Sequence, residues 1–301
     1  MAKCTVGIGE LLWDVFPSGR RLGGAPANFA AHCFHLGADA CLVSAVGQDA
    51  DGVELCETMS GLGLPTAWIQ RDAGHPTGTV QVTLNAQGHP AYEICRPVAW
   101  DFVQWTDDLE TLAAEAGAVC FGSLAQRGDA TRKTIQRFLA AVPDAALRIF
   151  DVNLRQDFYS REILETSLGL ANVVKLSDEE LPVLAEMFGF SGEAEAQARQ
   201  LLERFALRHV AYTRGANGSL LVGPAITSDC PGVDTHVVDT VGAGDSFTAA
   251  LCVGLLHGLP LDDIHVWANR VAAFVCSQRG ATPSLPAELA PHAFIPGEHV
   301  W

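Results

Sequence analysis

No Cys-x-x-Cys pair occurs in this chain, although it carries nine cysteines. Structural zinc sites need clustered ligands, and thiols of a reducing compartment stay unpaired. The cysteines lie in apolar runs such as AAHCF, DACLV, AVCFG and FVCSQ, and they read as small buried hydrophobes. His32-Cys33-Phe34-His35 is the one hint of a ligand cluster. It falls in an amphipathic helical stretch where core packing accounts for it, so no metal-ligand cluster is expected. Basic residues are also scarce: 19 Lys and Arg stand against 35 Asp and Glu, a formal net charge of −16. A surface of that sign repels nucleic acids and anionic membranes. A small phosphate ligand held locally by backbone dipoles remains compatible with it.

Long apolar runs are missing too. No stretch approaches the roughly eighteen residues of a membrane span. The opening MAKCTVGIGELLWDVF has one lysine and then Glu10 and Asp14, unlike a signal peptide. The expected compartment is the cytoplasm and the expected partner a small molecule. Two nucleotide signatures are absent. No Gly-x-x-x-x-Gly-Lys-Ser/Thr string occurs, and Gly7-Ile-Gly9-Glu-Leu-Leu lacks the third glycine of a dinucleotide turn.

What is present reads as one large α/β unit. With 49% hydrophobic and 18% charged residues, the 301-residue chain can bury a substantial core. Apolar runs at 5–9, 41–46, 119–122, 149–152, 173–176 and 210–213 predict strands. Helix-period segments predict helices at 27–36, 50–62, 130–141, 161–168, 179–188 and 193–205. That alternation argues for a mostly parallel, doubly wound sheet with helices on both faces. Residues 66–98 break the rhythm. Val80, Val82 and Leu84 alternate with Thr79, Gln81 and Thr83, NAQG turns, and a second alternating run carries Tyr92 and Ile94. A half-exposed hairpin follows from that pattern, as a lid or an interface.

Two stretches carry chemistry. Asp239-Thr240-Val241-Gly242-Ala243-Gly244-Asp245-Ser246-Phe247 precedes an apolar helix. The N–H groups of Gly242, Ala243 and Gly244 would be unpaired at its N-terminus and could cradle phosphate oxygens. Asp245 alone could serve only the helix dipole. Beside an anion hole it also supplies what phosphoryl transfer to a hydroxyl requires, a proton acceptor next to donors for developing charge. Near the N-terminus, Gly23-Gly24-Ala25-Pro26-Ala27-Asn28 opens another helix, with Asp14 upstream. Glycine and proline there make an ordinary helix entry, yet Asp14 and Asn28 could also grip vicinal hydroxyls.

Both stretches resemble the signatures of the ribokinase-like (PfkB) carbohydrate kinases. GGAPANFAAHCFHLGADACLVSAVGQDADG is similar to the N-terminal signature and DTVGAGDSF to the C-terminal one. The resemblance spans essentially the whole chain, 1–301, and implies a doubly wound α/β fold with a β lid around 10–24 and 66–98. It implies ATP- and Mg2+-dependent phosphorylation of a sugar hydroxyl, with Asp245 as base and the amides of Gly242, Ala243 and Gly244 stabilising the moving phosphoryl group. Asp14, Gly24 and Asn28 would hold ring hydroxyls. Glu93 or Arg96 would reach the sugar from the hairpin, and Asn153 and Arg155 would bind substrate from a strand end, where Arg155 could pair with a phosphate or equally form a surface ion pair. Lys175, Glu180, Thr213, Gly215, Gly218 and Asn269 would face the nucleotide.

Ser177 stands where the family usually has asparagine. Ser177 and Glu180 also fit a capping box, while the resemblance implies that Glu180 organises magnesium-bound water. In some relatives the region of Asp239, Val241, Val275, Gly280 and Ser284 forms a monovalent-cation site, K+ by expectation, through backbone carbonyls. GELLWDVFPSGRRLGGAPANFA and RPVAWDF are most similar to bacterial fructokinases, which implies fructose as acceptor. Other sugar, nucleoside or 2-keto-3-deoxygluconate kinases share these strings, and a catalytically idle binding relative is the reading from another class. A homodimer through the lid is compatible with the exposed hairpin.

Overall fold

The computed structural model describes residues 3–17, 19–84 and 90–291. Strand β1 (Cys4–Ile8) leads to β2 (Leu12–Phe16) and β3 (Gly19–Gly23), then α1 (Ala25–His35) and β4 (Ala40–Gly47). Helix α2 (Ala50–Gly61), β5 (Ile69–Asp72), β6 (Gly78–Leu84) and β7 (Pro90–Ile94) follow. The alternation resumes with α3 (Asp107–Glu115), β8 (Ala116–Gly122), α4 (Asp129–Ala141) and β9 (Leu147–Asp151). Next come α5 (Arg161–Leu170), β10 (Val173–Ser177), α6 (Glu180–Phe188) and α7 (Ala194–Arg204). Strands β11 (His209–Thr213), β12 (Ser219–Val222) and β13 (Thr227–Cys230) precede two long helices, α8 (Ala243–Leu256) and α9 (Leu261–Cys276).

The main sheet has the order β13-β12-β11-β10-β9-β8-β1-β4-β5, and a separate small sheet the order β3-β2-β6-β7. From β11 to β5 every neighbouring pair is parallel, while β12 and β13 are antiparallel at one edge. Strand order reverses between β1 and β8, and open α/β sheets bind ligands outside the carboxyl ends of strands at such a reversal. Alternation fills both faces. In β4, Cys41, Val43 and Ala45 join the core under α3 to α7, and Leu42 and Val46 join the core under α1, α2, α8 and α9. Each fully buried leucine or phenylalanine in these layers contributes roughly 1.5–3 kcal/mol. Local signals set the helix starts: Asp49 accepts the Gly52 N–H at 2.8 Å ahead of α2, and Ser160 the Ile163 N–H at 3.2 Å ahead of α5.

The doubly wound sheet and its projecting small sheet match the expected fold, with two corrections. Residues 69–72, assigned by sequence to the lid, pair in parallel with β4 in the main sheet. The second lid segment enters the small sheet only at Gly78; the first does so as expected from 10–24, through β2 and β3, with β2 parallel to β6. The NAQG turn lies outside the described residues. Among the described residues no helix is long and apolar enough to cross a membrane.

Candidate active site

Helix α8 is apolar on all sides and lies sandwiched between α1 and α9, so its N-terminus is fixed by packing rather than by a side-chain cap. Gly242 takes the N-cap with φ of 81°, and a Cβ there would stand 2.3 Å from Ala281 O. Both the left-handed backbone and the close approach demand glycine. One expected donor is corrected: the Ala243 N–H bonds to Thr240 O at 3.3 Å. Gly242 and Gly244 keep N–H groups without a backbone partner among the described residues. Those two N–H groups and the helix dipole are what this terminus offers an anion.

Asp245 is half-buried in the first turn of α8, and Asn28 Nδ2 of α1 donates to its Oδ2 at 2.8 Å. Burial pushes the Asp245 carboxyl up to about 6. Asp151 adds to the rise, and the Asn28 bond, Lys175 and Arg155 oppose it. The two candidate regions, 217 residues apart, thus meet at one hydrogen bond. Among the described residues Asn28 Oδ1 is buried without a partner, an acceptor left for a hydroxyl.

Two further acids crowd this corner. Burial raises Asp14 to about 6 against the charges of Arg155 and Arg21. Glu10, which sequence reading passed over, is 1% exposed, and burial raises it to about 7. Its Oε1 accepts the Ala25 N–H at 3.2 Å, so a buried carboxyl anchors the start of α1. Gly24, with φ of 111°, lets that start pass close to the Glu10 carbonyl, where a Cβ would stand 2.4 Å away. Arg155 is exposed, and its charge opposes the rise of Glu10, Asp14, Asp151 and Asp245 alike. Its Nη1 donates to the Leu154 carbonyl at 2.9 Å. Asn153, at φ of 44°, holds the strained turn that delivers Arg155.

A cavity of about 620 Å³ reaches the α8 terminus. Thr213, Gly215, Gly218 and Asn269 line it together with Ala243 and Gly244. Its size suits a nucleotide. Asn269 differs from expectation in being internally engaged, with Nδ2 donating to Ser219 Oγ and His265 O, both at 2.8 Å.

Lys175 and Asp151 form a buried pair beneath Gly244. Lys175 Nζ lies 3.1 Å from Asp151 Oδ1 and 3.3 Å from Oδ2, and 2.9 Å from where a Cβ on Gly244 would stand. Burial alone would lower the lysine, but Asp151, Glu180 and Asp245 outweigh it and raise it above its ordinary value. Only half of the expected capping box forms. Glu180 Oε2 accepts the Ser177 N–H at 2.8 Å, whereas no side chain caps α6. Glu180 Oε1 accepts the Leu154 N–H at 2.8 Å, tying the β9 and β10 loops together. Each oxygen keeps a second lone pair.

The segments of the expected cation site do converge. Asp239 N–H bonds to Cys276 O at 3.1 Å, Asp239 Oδ1 accepts Val241 N–H at 3.1 Å, and Oδ2 accepts Gly280 N–H at 3.2 Å. Val275 is buried in α9 and Ser284 exposed beyond it. Asp239 Oδ2 also meets the Arg21 guanidinium at 2.6 Å, a contact not foreseen. Glu93 and Arg96 are exposed at the lid's β7 end, where Arg96 stacks 5.0 Å from the Phe158 ring, and no bond ties them to Asp245. Glu10, Arg21 and the pairing of Asp151 with Lys175 were missed. Only Asp151, closing an apolar strand run at a sheet's carboxyl edge, left a usable signal.

A model of the pfkB family of carbohydrate kinases matches residues 11–288. The chain belongs to that family. A fructokinase from Klebsiella pneumoniae is 32% identical over 299 residues, covering 93% of this chain and 95% of its own. An uncharacterized sugar kinase from Pyrococcus horikoshii has a solved structure 32% identical, with a TM-score of 0.79 and 93% of each chain covered. A fructokinase from Vibrio cholerae, solved with fructose, ADP and calcium bound, is 26% identical with a TM-score of 0.82, covering 97% of this chain and 99% of that one. As a pfkB carbohydrate kinase the protein is a phosphotransferase with an alcohol acceptor.

Proposed function

We propose that the protein transfers the γ-phosphoryl group of ATP to a hydroxyl of fructose. The observation that carries this reading is one juxtaposition. The nucleotide-sized cavity is lined by Ala243 and Gly244, and the carboxylate of the next residue, Asp245, accepts from Asn28. ATP approaches from one side and the sugar from the other. Asp14, Asn28 and Arg155 hold the sugar hydroxyls, and Asp245 takes the proton as the hydroxyl oxygen attacks phosphorus and ADP leaves. The N–H groups of Gly242 and Gly244 and the Lys175 ammonium stand against the developing negative charge. Glu180 and Asp151 offer hard oxygen donors beside that turn, a set that suits a magnesium ion and its waters. When bound, magnesium neutralises phosphate charge.

The shifted carboxyl gives a test through pH. A base must be ionised, and a value of about 6 instead of the ordinary 3.8 moves the loss of activity upward. We expect kcat/KM for the sugar to be level above about pH 7 and to fall roughly tenfold per unit below about 6. A profile level down to pH 5 would count against Asp245 as base.

Fructose rests on likeness to proteins named fructokinase, including those of Klebsiella pneumoniae and Escherichia coli, 32% and 30% identical. A ketohexose offers adjacent hydroxyls to Asp14 and Asn28, and an analogue lacking one strands a buried polar group, a mismatch that supports about a hundredfold discrimination or more. We expect fructose to lead a panel with ribose, adenosine, 2-keto-3-deoxygluconate and fructose 6-phosphate, measured as kcat/KM with ATP and magnesium. A tenfold advantage for any other acceptor would replace fructose and leave the phosphotransferase in place. Failure of every sugar to release ADP would favour an idle binding relative.

A further inference from the structure

Arg20 and Arg21 are neighbours on β3, and successive residues of a strand point to opposite faces. Arg20 turns toward α2, where its guanidinium meets Asp51 and Glu54 and covers the Trp13 ring at 4.8 Å. Arg21 turns the other way. Its Nη1 reaches Asp239 Oδ2 across 218 residues of sequence, and the Asp239 side chain is only 14% exposed. Asp239 is itself fixed by the N–H groups of Val241 and Gly280, three residues before the Gly242 turn. Arg21 also stands opposite Asp14 in the β2–β3 register. Directly opposed residues share a face of the sheet, a few ångströms apart. One guanidinium therefore lies between the carboxylate read as an acceptor ligand and the loop that begins the phosphate cradle.

We propose that Arg21 is a positioning residue that couples acceptor binding on the lid to the Gly242–Gly244 turn, by holding Asp239 from a strand whose register is shared with Asp14. The inference rests on the reading of Asp14 as an acceptor ligand. A hydroxyl bound to Asp14 orders β2 and β3, and the ordered strand presents Arg21 to Asp239. The loop before α8 then has one position rather than several. The charge of Arg21 also counters the rise that burial imposes on Asp14, keeping that carboxylate ionised for the hydroxyl. The pair is half-exposed on the arginine side, which bounds its effect well below that of a buried ion pair.

The test compares Arg21→Gln, Asp239→Asn and the double variant in kcat, sugar KM and ADP affinity without sugar. Each single change is expected to lower kcat/KM for the sugar by about two- to fivefold, with ADP affinity in the absence of sugar unchanged. The double variant should lose no more than the worse single one, because both break one link. Arg21→Lys, which keeps the charge, should recover part of the kcat. Additive losses in the double variant, or an equal loss of ADP affinity without sugar, would overturn the coupling. Asp14→Asn separates the two layers: an unchanged sugar KM there would remove the acceptor reading beneath the proposal, whereas additivity with Asp14 still sensitive removes the coupling alone.

Discussion

Replacing Asp245 with asparagine should lower turnover by about two orders of magnitude or more, while the sugar KM stays within a few-fold of its original value. The amide has the size of the carboxyl and its oxygen can still accept from Asn28 Nδ2, now at 2.8 Å, so geometry is retained and only proton acceptance is lost. Stability should move the other way. The folded carboxyl titrates at about 6, above the ordinary 3.8, because burial and Asp151 disfavour its ionised form. A group raised in this way stabilises the fold below its ordinary value and withdraws that contribution as pH rises through about 6. A neutral amide avoids the cost, so at pH 8 the thermal midpoint of the variant should equal or exceed the original. Turnover within threefold of the original would remove Asp245 from the role of base. A large fall in midpoint with the loss of activity would show instead that the residue had been structural.

The two glycine-rich stretches were readable because each combines backbone demands with a neighbouring polar group. Gly242 must tolerate φ of 81° and a 2.3 Å approach, requirements no other residue meets, and Asp245 follows at a fixed offset. The strand–helix rhythm was readable for the same reason, since strands covered on both faces are nearly continuously apolar, as AGAVCFG in β8 shows and as VVKL in β10 shows but for Lys175. The lid was only half legible. GRRLG in β3 carries too few alternating apolar residues to announce a strand, and what holds it is ionic, from Arg20 to α2 and from Arg21 to Asp239. Residues 69–72 failed differently: IQRD falls within the stretch that breaks the strand–helix rhythm, but its place is decided by pairing with β4. Partners far apart in sequence leave no local trace. Asp151 and Lys175 are 24 residues apart and Arg21 and Asp239 218, so neither pair could be read before the fold was known.

The Lys175–Asp151 pair allows stability and chemistry to be separated. Lys175→Met keeps the length and packing of the stem but removes the ammonium from beneath Gly244, leaving Asp151 with the Thr248 hydroxyl at 3.3 Å. An unpaired buried carboxylate costs about 3–5 kcal/mol when its partner is deleted. The thermal midpoint should therefore fall on the order of 10 °C. Turnover should fall about a hundredfold, the usual scale for removing one fixed positive donor from a developing oxyanion. Adding Asp151→Asn to Lys175→Met removes the stranded charge and should restore most of the midpoint, since a neutral pair of the same volume has nothing to desolvate. It should not restore turnover, because the positive charge at the turn is still missing. If turnover recovers together with stability, Lys175 serves only to neutralise Asp151, and the phosphate cradle works through the Gly242 and Gly244 N–H groups and the α8 dipole alone.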